Sequence, residues 1–239
     1  ERLRKERALV EARREGLATF LQIASHDLKN PLTAISNCVQ LLRRVKPERH
    51  AEIVDIIQGA SARANDLIRT YLDAAAVESG KTLAVERENV DIARLVDEEI
   101  EFLKAALGTR MEEVEIVPQV DCPPIWADGR KLRQIVSNLL SNAVKYSPAR
   151  GVVQVQVWHD EKTVYLSVKD QGVGISEQDQ QRLFTPFQRV GDTSRVSGTG
   201  LGLWLTAALI QAHGGQISVE SAPGSGSIFR VSLPRTQQD

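Results

Sequence analysis

Through the first 45 positions apolar residues recur at a helical spacing. Leu3, Val10, Leu17 and Ala24 stand seven residues apart, and Phe20, Leu21 and Leu28 widen the stripe between charged faces. The pattern predicts one long helix over residues 1–45, with a narrow seam that calls for a coiled-coil or bundle partner. Pro31 falls inside it, where a proline removes a backbone hydrogen bond and kinks the axis; Lys46-Pro47 ends it. Ile53, Ile56, Ile57, Ala60, Ala64, Leu67, Tyr71, Leu72 and Ala75 then predict a second helix from Glu48 to Ser79, closed by Gly80. Two antiparallel helices with one apolar face each make half of a four-helix bundle, and twofold symmetry supplies the other half as a homodimer.

Beyond Gly80 the periodicity changes. Strand-like alternation at Leu83–Val90 precedes an amphipathic helix from Ile92 to Leu107, and Glu113–Val120 reads as another strand. Asp128 is a suitable N-cap for a helix through Lys145. Val152–Trp158 and Thr163–Lys169 form a hairpin around Asp160-Glu161. A glycine-rich stretch leads into a helix at Leu201–Ala212, and two strands, Gln216–Glu220 and Ser227–Leu233, close the chain around a Pro-Gly-Ser-Gly turn. The predicted fold is a helical hairpin forming a dimeric four-helix bundle, followed by an α/β sandwich with a mixed sheet.

Composition narrows the function. The chain has 239 residues with 30 basic and 31 acidic side chains, a net charge of −1. That balance removes the electrostatic basis for a nucleic-acid partner. Cys38 and Cys122 have no metal-ligand spacing and read as small buried side chains in a reducing compartment. No apolar run reaches the length of a membrane span, the longest being Leu203–Ile210 with Thr206 inside it, and there is no signal peptide. The chain opens at Glu1 within a charged helical pattern, so it reads as a fragment, with any membrane attachment of its parent left open.

Candidate chemistry begins with glycines. Asp170-Gln-Gly172-Val-Gly174 follows a strand, and Gly198-Thr-Gly200-Leu-Gly202 precedes a helix. Each is either an ordinary turn or a place where backbone N–H groups meet a phosphate. Asp170 is either a solvated turn residue or an acceptor for an exocyclic amine, as in the reading of adenine. Asn138 and Asn142 share a helix face, with Lys145 further along it. That face is either a plain polar surface or an Mg²⁺ and phosphate site, since carboxamide oxygens suit Mg²⁺ and an ammonium suits phosphate. In Ser25-His26-Asp27-Leu28-Lys29-Asn30-Pro31-Leu32, His26 is either a surface histidine or a nucleophile that Asp27 orients and deprotonates. His50 and His159 fall in expected turns and receive no role.

Taken in order, SHDLKNPL, NLLSNAVKYS, DQGVGI, FTPF and GTGLGL resemble the sensor histidine kinases of two-component signalling over nearly the whole chain. The resemblance implies the end of a coiled-coil signalling helix at 1–16 and a dimerisation and histidine-phosphotransfer domain at 17–80. A catalytic ATP-binding domain at 81–235, of the fold shared with gyrase and MutL, precedes a tail at 236–239. It also implies that His26 is the phosphoacceptor, Asp27 its general base, and Asn30 the residue that orients water for dephosphorylation of a response regulator. Asn142 would be the Mg²⁺ ligand with support from Asn138, Lys145 would face the phosphates of ATP, and Tyr146 would pack on adenine. Asp170 would accept from the adenine amine, with Gly172 and Gly174 leaving the base room. Phe184 and Phe187 resemble the segment that braces a mobile lid at Val190–Ser197, and Gly198, Thr199, Gly200, Leu201 and Gly202 would line the phosphate path. Gln171 stands where the family often has Asn or Thr, and its side chain is expected to matter little.

The partners so implied are a second copy of the chain and the receiver domain of a response regulator, in the cytoplasm. Two rival readings are an ATPase of the same wider fold, which needs Asn142 and Asp170 but not His26, and a silent dimeric scaffold. The complete SHDLKNPL string argues against the first. The intact Asn142, Asp170, Gly174 and Gly202 argue against the second.

Overall fold

A computed structural model of the chain describes residues 22, 24–25, 27–42, 44–46, 49–107, 114–148, 150–186 and 200–235. The chain divides into two compact units, residues 1–80 and 81–239.

In the first unit, residues 27–42 form helix α1 and His50–Glu78 form α2. The seam expected over residues 1–21 lies outside the described residues, as does Pro47. Helical structure continues through Pro31 to residue 42, and beyond it the amides of Arg44 and Val45 both turn back onto the Leu41 carbonyl at 2.8 and 3.0 Å. Beyond the end of α2, Gly80 takes a left-handed φ of 76° and donates to the Val77 carbonyl at 2.9 Å. A hydrogen bond between Tyr71 and Asp27, 44 positions apart, requires α2 to run back alongside α1. Cys38, Ile53, Ala64, Tyr71 and Ala74 are buried within this unit, whereas Leu32, Val39, Leu41, Val54, Ile56, Ile68 and Leu72 remain exposed. The hairpin therefore has apolar residues for more than its own internal face.

The second unit is a two-layer α/β sandwich. Its elements are β1 (Glu88–Val90), α3 (Ile92–Leu107), β2 (Val114–Val120), β3 (Ile125–Ala127), α4 (Gly129–Tyr146), β4 (Gly151–His159), β5 (Thr163–Asp170), α5 (Glu177–Gln180), α6 (Gly202–Ala212), β6 (Gln216–Ser221) and β7 (Ser227–Pro234). Five strands lie in the order β2-β4-β5-β7-β6, with β2 and β4 parallel and the other pairs antiparallel, so the sheet is mixed. Alternation sends Val153, Val155, Val157, Val164, Leu166, Val168, Phe229 and Val231 into the core. Against them α4 buries Leu132, Ile135, Val136, Leu139, Leu140, Ala143 and Val144, and α6 buries Leu205, Leu209 and Ile210. Each of these side chains larger than alanine contributes about 1.5–3 kcal/mol by leaving water. Among the described residues no helix is long and apolar enough to cross a membrane.

The structure departs from the sequence pattern in several places. The strand expected at Leu83–Val90 shrinks to Glu88–Val90, paired only with Ile125–Ala127, a strand the pattern did not reveal. Leu83 is buried, but the Glu86 amide donates to Asp128 Oδ2 at 3.1 Å, where a ladder would have supplied a carbonyl. The single-turn α5 was also unanticipated. Cys122 is half-buried, its thiol donating to the Pro123 carbonyl. His159 is the last residue of β4, not part of the turn, and meets the Arg235 guanidinium at 3.1 Å.

One buried junction ties the start of α4 to the end of α6. Asp128 caps α4 by accepting from the Lys131 amide at 3.1 Å, and the Asp128 amide donates to Nε2 of His213, just beyond α6, at 3.2 Å. His213 Nδ1 lies 2.7 Å from the Leu209 carbonyl, an acceptor only, so the ring is the neutral Nδ1–H tautomer. Burial holds this imidazole below its ordinary value near 6.5, with Arg87 and Lys131 lowering it further while the Leu209 carbonyl and the Asp128 charge oppose them. The unfolded chain therefore takes up a proton below about pH 6.5 that the folded chain resists, and stability falls with pH from there. We expect the unfolding midpoint to drop between pH 7 and pH 5. In His213→Leu that drop should be smaller, with about 1–3 kcal/mol lost already at pH 7 because the buried Asp128 amide is left unpaired. Thermal melts of both proteins at several pH values would check this.

Candidate functional site

The polar face of α4 has three distinct environments. Asn138 Nδ2 donates to Oγ1 of the buried Thr206 on α6 at 2.8 Å, and a Cβ built on Gly202 would collide with Asn138 Oδ1. Asn138 thus ties α4 to the first turns of α6, which no glycine substitute could approach as closely. One turn on, Asn142 is half-buried, and its side chain has no hydrogen-bonding partner among the described residues. A half-buried carboxamide unmatched among the described residues is open to an external ligand. At the end of the helix Lys145 Nζ sits 5.2 Å from the centroid of the exposed Tyr146 ring. That distance allows a cation–π contact.

Asp170 ends β5 with only 5% of its surface exposed. Its Oδ1 accepts the amides of Gly172 at 2.7 Å and Ser227 at 3.2 Å. Neither bond uses Oδ2, which leaves one oxygen of a fixed carboxylate to accept from a ligand N–H. Burial pushes the Asp170 carboxyl above the ordinary carboxylate value, against the pull of the two amides. The following loop is clamped onto the β6–β7 turn by Gly224 N–H to the Val173 carbonyl at 2.7 Å and Ile175 N–H to Ser221 Oγ at 2.8 Å. Gly174 has a φ of 70°, and a Cβ there would run into the Ala222 carbonyl oxygen. Gln171, expected to be passive, accepts the Val152 amide through Oε1 at 3.0 Å and so caps the start of β4.

Gly200 and the buried Leu201 lead into α6, which among the described residues begins without a side-chain cap. Backbone amides at such an end favour an anion. Leu183 is buried and Phe184 half-buried. Phe187, Gly198, Thr199 and the expected lid at Val190–Ser197 lie outside the described residues, and so does His26. In the first unit Asp27 is half-buried and accepts at Oδ2 from the Tyr71 hydroxyl at 3.0 Å, while Asn30 is exposed on α1. The structure thus brings Asn138, Thr206 and Gly202 together, and separately Asp170, Gly172 and Gly174.

Sequence reasoning missed Tyr71, Thr206, Gln171 and His213. Two of them carried a signal, a polar atom at a core position: Tyr71 stands in the apolar stripe of α2, and Thr206 is the polar residue within Leu203–Ile210.

Two family models match the chain. The phospho-acceptor domain of the His Kinase A type covers residues 17–80, and the histidine kinase-, DNA gyrase B- and HSP90-like ATPase covers residues 127–237. The circadian input-output histidine kinase CikA of Synechococcus elongatus is 37% identical over 95% of this chain and 31% of its own length. The histidine protein kinase DivJ of Caulobacter vibrioides is 34% identical over 94% of this chain and 38% of its own. The chain spans about a third of these relatives. Among solved structures, the mycobacterial sensor histidine kinase MprB is 30% identical with a TM-score of 0.55, over 62% of this chain and 97% of its own. Full-length ShkA in complex with AMPPNP is 26% identical with a TM-score of 0.63, over 90% of this chain and 46% of its own.

The clamp on Gly174 sets a measurable expectation. Gly174→Ala combines a strained φ with a backbone collision and should lower stability by about 1–3 kcal/mol. Denaturant unfolding followed by tryptophan fluorescence would measure it, because Trp126, Trp158 and Trp204 all belong to the second unit.

Proposed function

The chain belongs to the histidine kinase family, and on that premise we propose that it is the core of a sensor kinase that phosphorylates its own His26 with Mg-ATP. The phosphoryl group then passes to an aspartate in the receiver domain of a response regulator. In this reading residues 1–16 are the end of a coiled-coil signalling helix, 17–80 the dimerisation and phosphotransfer domain, 81–235 the catalytic domain, and 236–239 a tail. The exposed apolar residues of the helical hairpin support a homodimer that completes a four-helix bundle. The core works in the cytoplasm, where ATP is available.

The second unit binds and orients the nucleotide. Asp170 accepts the adenine amine at Oδ2, which supports adenine over a base with a carbonyl at that position. Tyr146 packs on the ring, and Gly172 and Gly174 keep the wall beside it thin. Lys145 faces the phosphates, and the backbone from Gly198 to Gly202, with Thr199 and Leu201, follows them. The unmatched carboxamide of Asn142 fits a metal that prefers oxygen ligands and retains waters, with Asn138 holding α6 beside it. When bound, Mg²⁺ supplies neutralisation of the charge on the phosphates. The neutral imidazole of His26 attacks the γ-phosphorus in line. A P–N bond forms, the bond to the bridging oxygen breaks, ADP departs, and Asp27 takes the imidazole proton. Asn30 orients water when the phosphorylated response regulator is dephosphorylated.

One observation favours a kinase over an ATPase of the same fold. Asp27, next to His26, is half-buried and hydrogen-bonded within the helical hairpin. ATP hydrolysis alone has no use for that arrangement. Incubation with γ-labelled ATP and Mg²⁺ should give acid-labile, base-stable label on the wild type and none on His26→Gln. Phosphate release without label would replace this reading with the ATPase. Asn142→Ala should reduce labelling by at least about 100-fold, on the scale of losing a key electrostatic contact in a transition state. Its sedimentation should still be that of a dimer, and full activity in this variant would overturn the Mg²⁺ assignment.

A further inference from the structure

Asp27 does not hold its own position. Its Oδ2 accepts from the Tyr71 hydroxyl at 3.0 Å, across the hairpin from α2 to α1. Tyr71 is only 7% exposed and lies on the same helix face as the buried Ala64 and Ala74, small residues that make room for its ring between the helices. Ring packing settles two torsions and with them the hydroxyl, so the donor is fixed at low entropic cost. Burial, the bond to Asp27 and the Asp27 charge all hold the phenol far above its ordinary value of 10.0, so it stays protonated wherever the chain is folded.

We infer that Tyr71 is a positioning residue for phosphoryl transfer, orienting the Asp27 carboxylate that takes the proton of His26. This rests on the kinase reading above. Asp27 has one methylene between backbone and carboxyl, so anchoring Oδ2 fixes where the other oxygen can reach. The route from Tyr71 to the reaction is the bond to Asp27.

The test is a double-mutant cycle on the full chain, reading the initial rate of histidine labelling against ATP concentration. Tyr71→Phe keeps the ring and removes the hydroxyl. It should lower kcat about 10- to 100-fold, the cost of a misplaced catalytic group, with KM for ATP unchanged. In an Asp27→Asn background the same substitution should have no further effect, because its route is already cut. Wild-type kinetics in Tyr71→Phe overturn the inference while leaving the kinase reading intact. An equal loss in both backgrounds marks a loosened hairpin and overturns it as well. A wild type that takes no label on His26 removes the kinase reading and this inference together.

Discussion

The carboxylate of Asp128 and the imidazole of His213 set where α4 begins, and the positions of the polar residues further along that helix follow from it. Asp128 accepts the amides of Glu86 and Lys131 and lies 3.2 Å from the Lys131 ammonium, all with little exposure to water. Desolvation alone would raise its pKa, but these hydrogen bonds win and hold it below the ordinary carboxylate value. Its backbone amide is taken by His213, just beyond the C-terminal end of α6, which lies beside the start of α4. A helix capped at one residue and packed by seven buried side chains has one rotation and one register. Asn138, Asn142 and Lys145 therefore project from a fixed face.

A second constraint comes from close backbone approach at the site end of the sheet. Asp170 is aimed by amides from two different segments, Gly172 just after it and Ser227 at the start of β7. Because β7 pairs with β5 along its whole length, the same ladder that builds the sheet also aims the carboxylate. Gly174 and Gly202 add a different economy: each leaves out a side chain where another group must come close. The consequence is a site whose polar atoms are set by packing and backbone bonds, with little left to the rotamers of long side chains.

The helical unit uses a different logic. Among the described residues its helices bury Ala24, Pro31, Cys38, Ile53, Ala64, Tyr71 and Ala74, and it places apolar side chains outside as well as inside. An isolated pair of helices with so small a core is marginal in water. A twofold partner would supply the missing burial, and the hydrogen bond from Tyr71 to Asp27 would then be held in a bundle.

Much of this was legible along the chain. The periodicity of α2, α3, α4 and α6 and the hairpin of β4 and β5 follow from local pattern, because helix and strand periods are properties of neighbouring residues. The motifs at Asp27, Asn142, Asp170 and Gly174 could be named in the same way. What sequence could not supply were contacts between distant segments. Leu83–Glu86 alternates like a strand yet gives an amide to Asp128, 42 positions away from Glu86. Tyr71 counts as one more apolar residue until Asp27 is found opposite it, and Thr206 as an interruption until Asn138 meets it. The sequence by itself determined the elements and the types of chemical group at the site. Only the tertiary structure decided which polar atoms are matched within the protein, as those of Asn138 and Thr206 are, because hydrogen-bond partners are chosen in space and not along the chain.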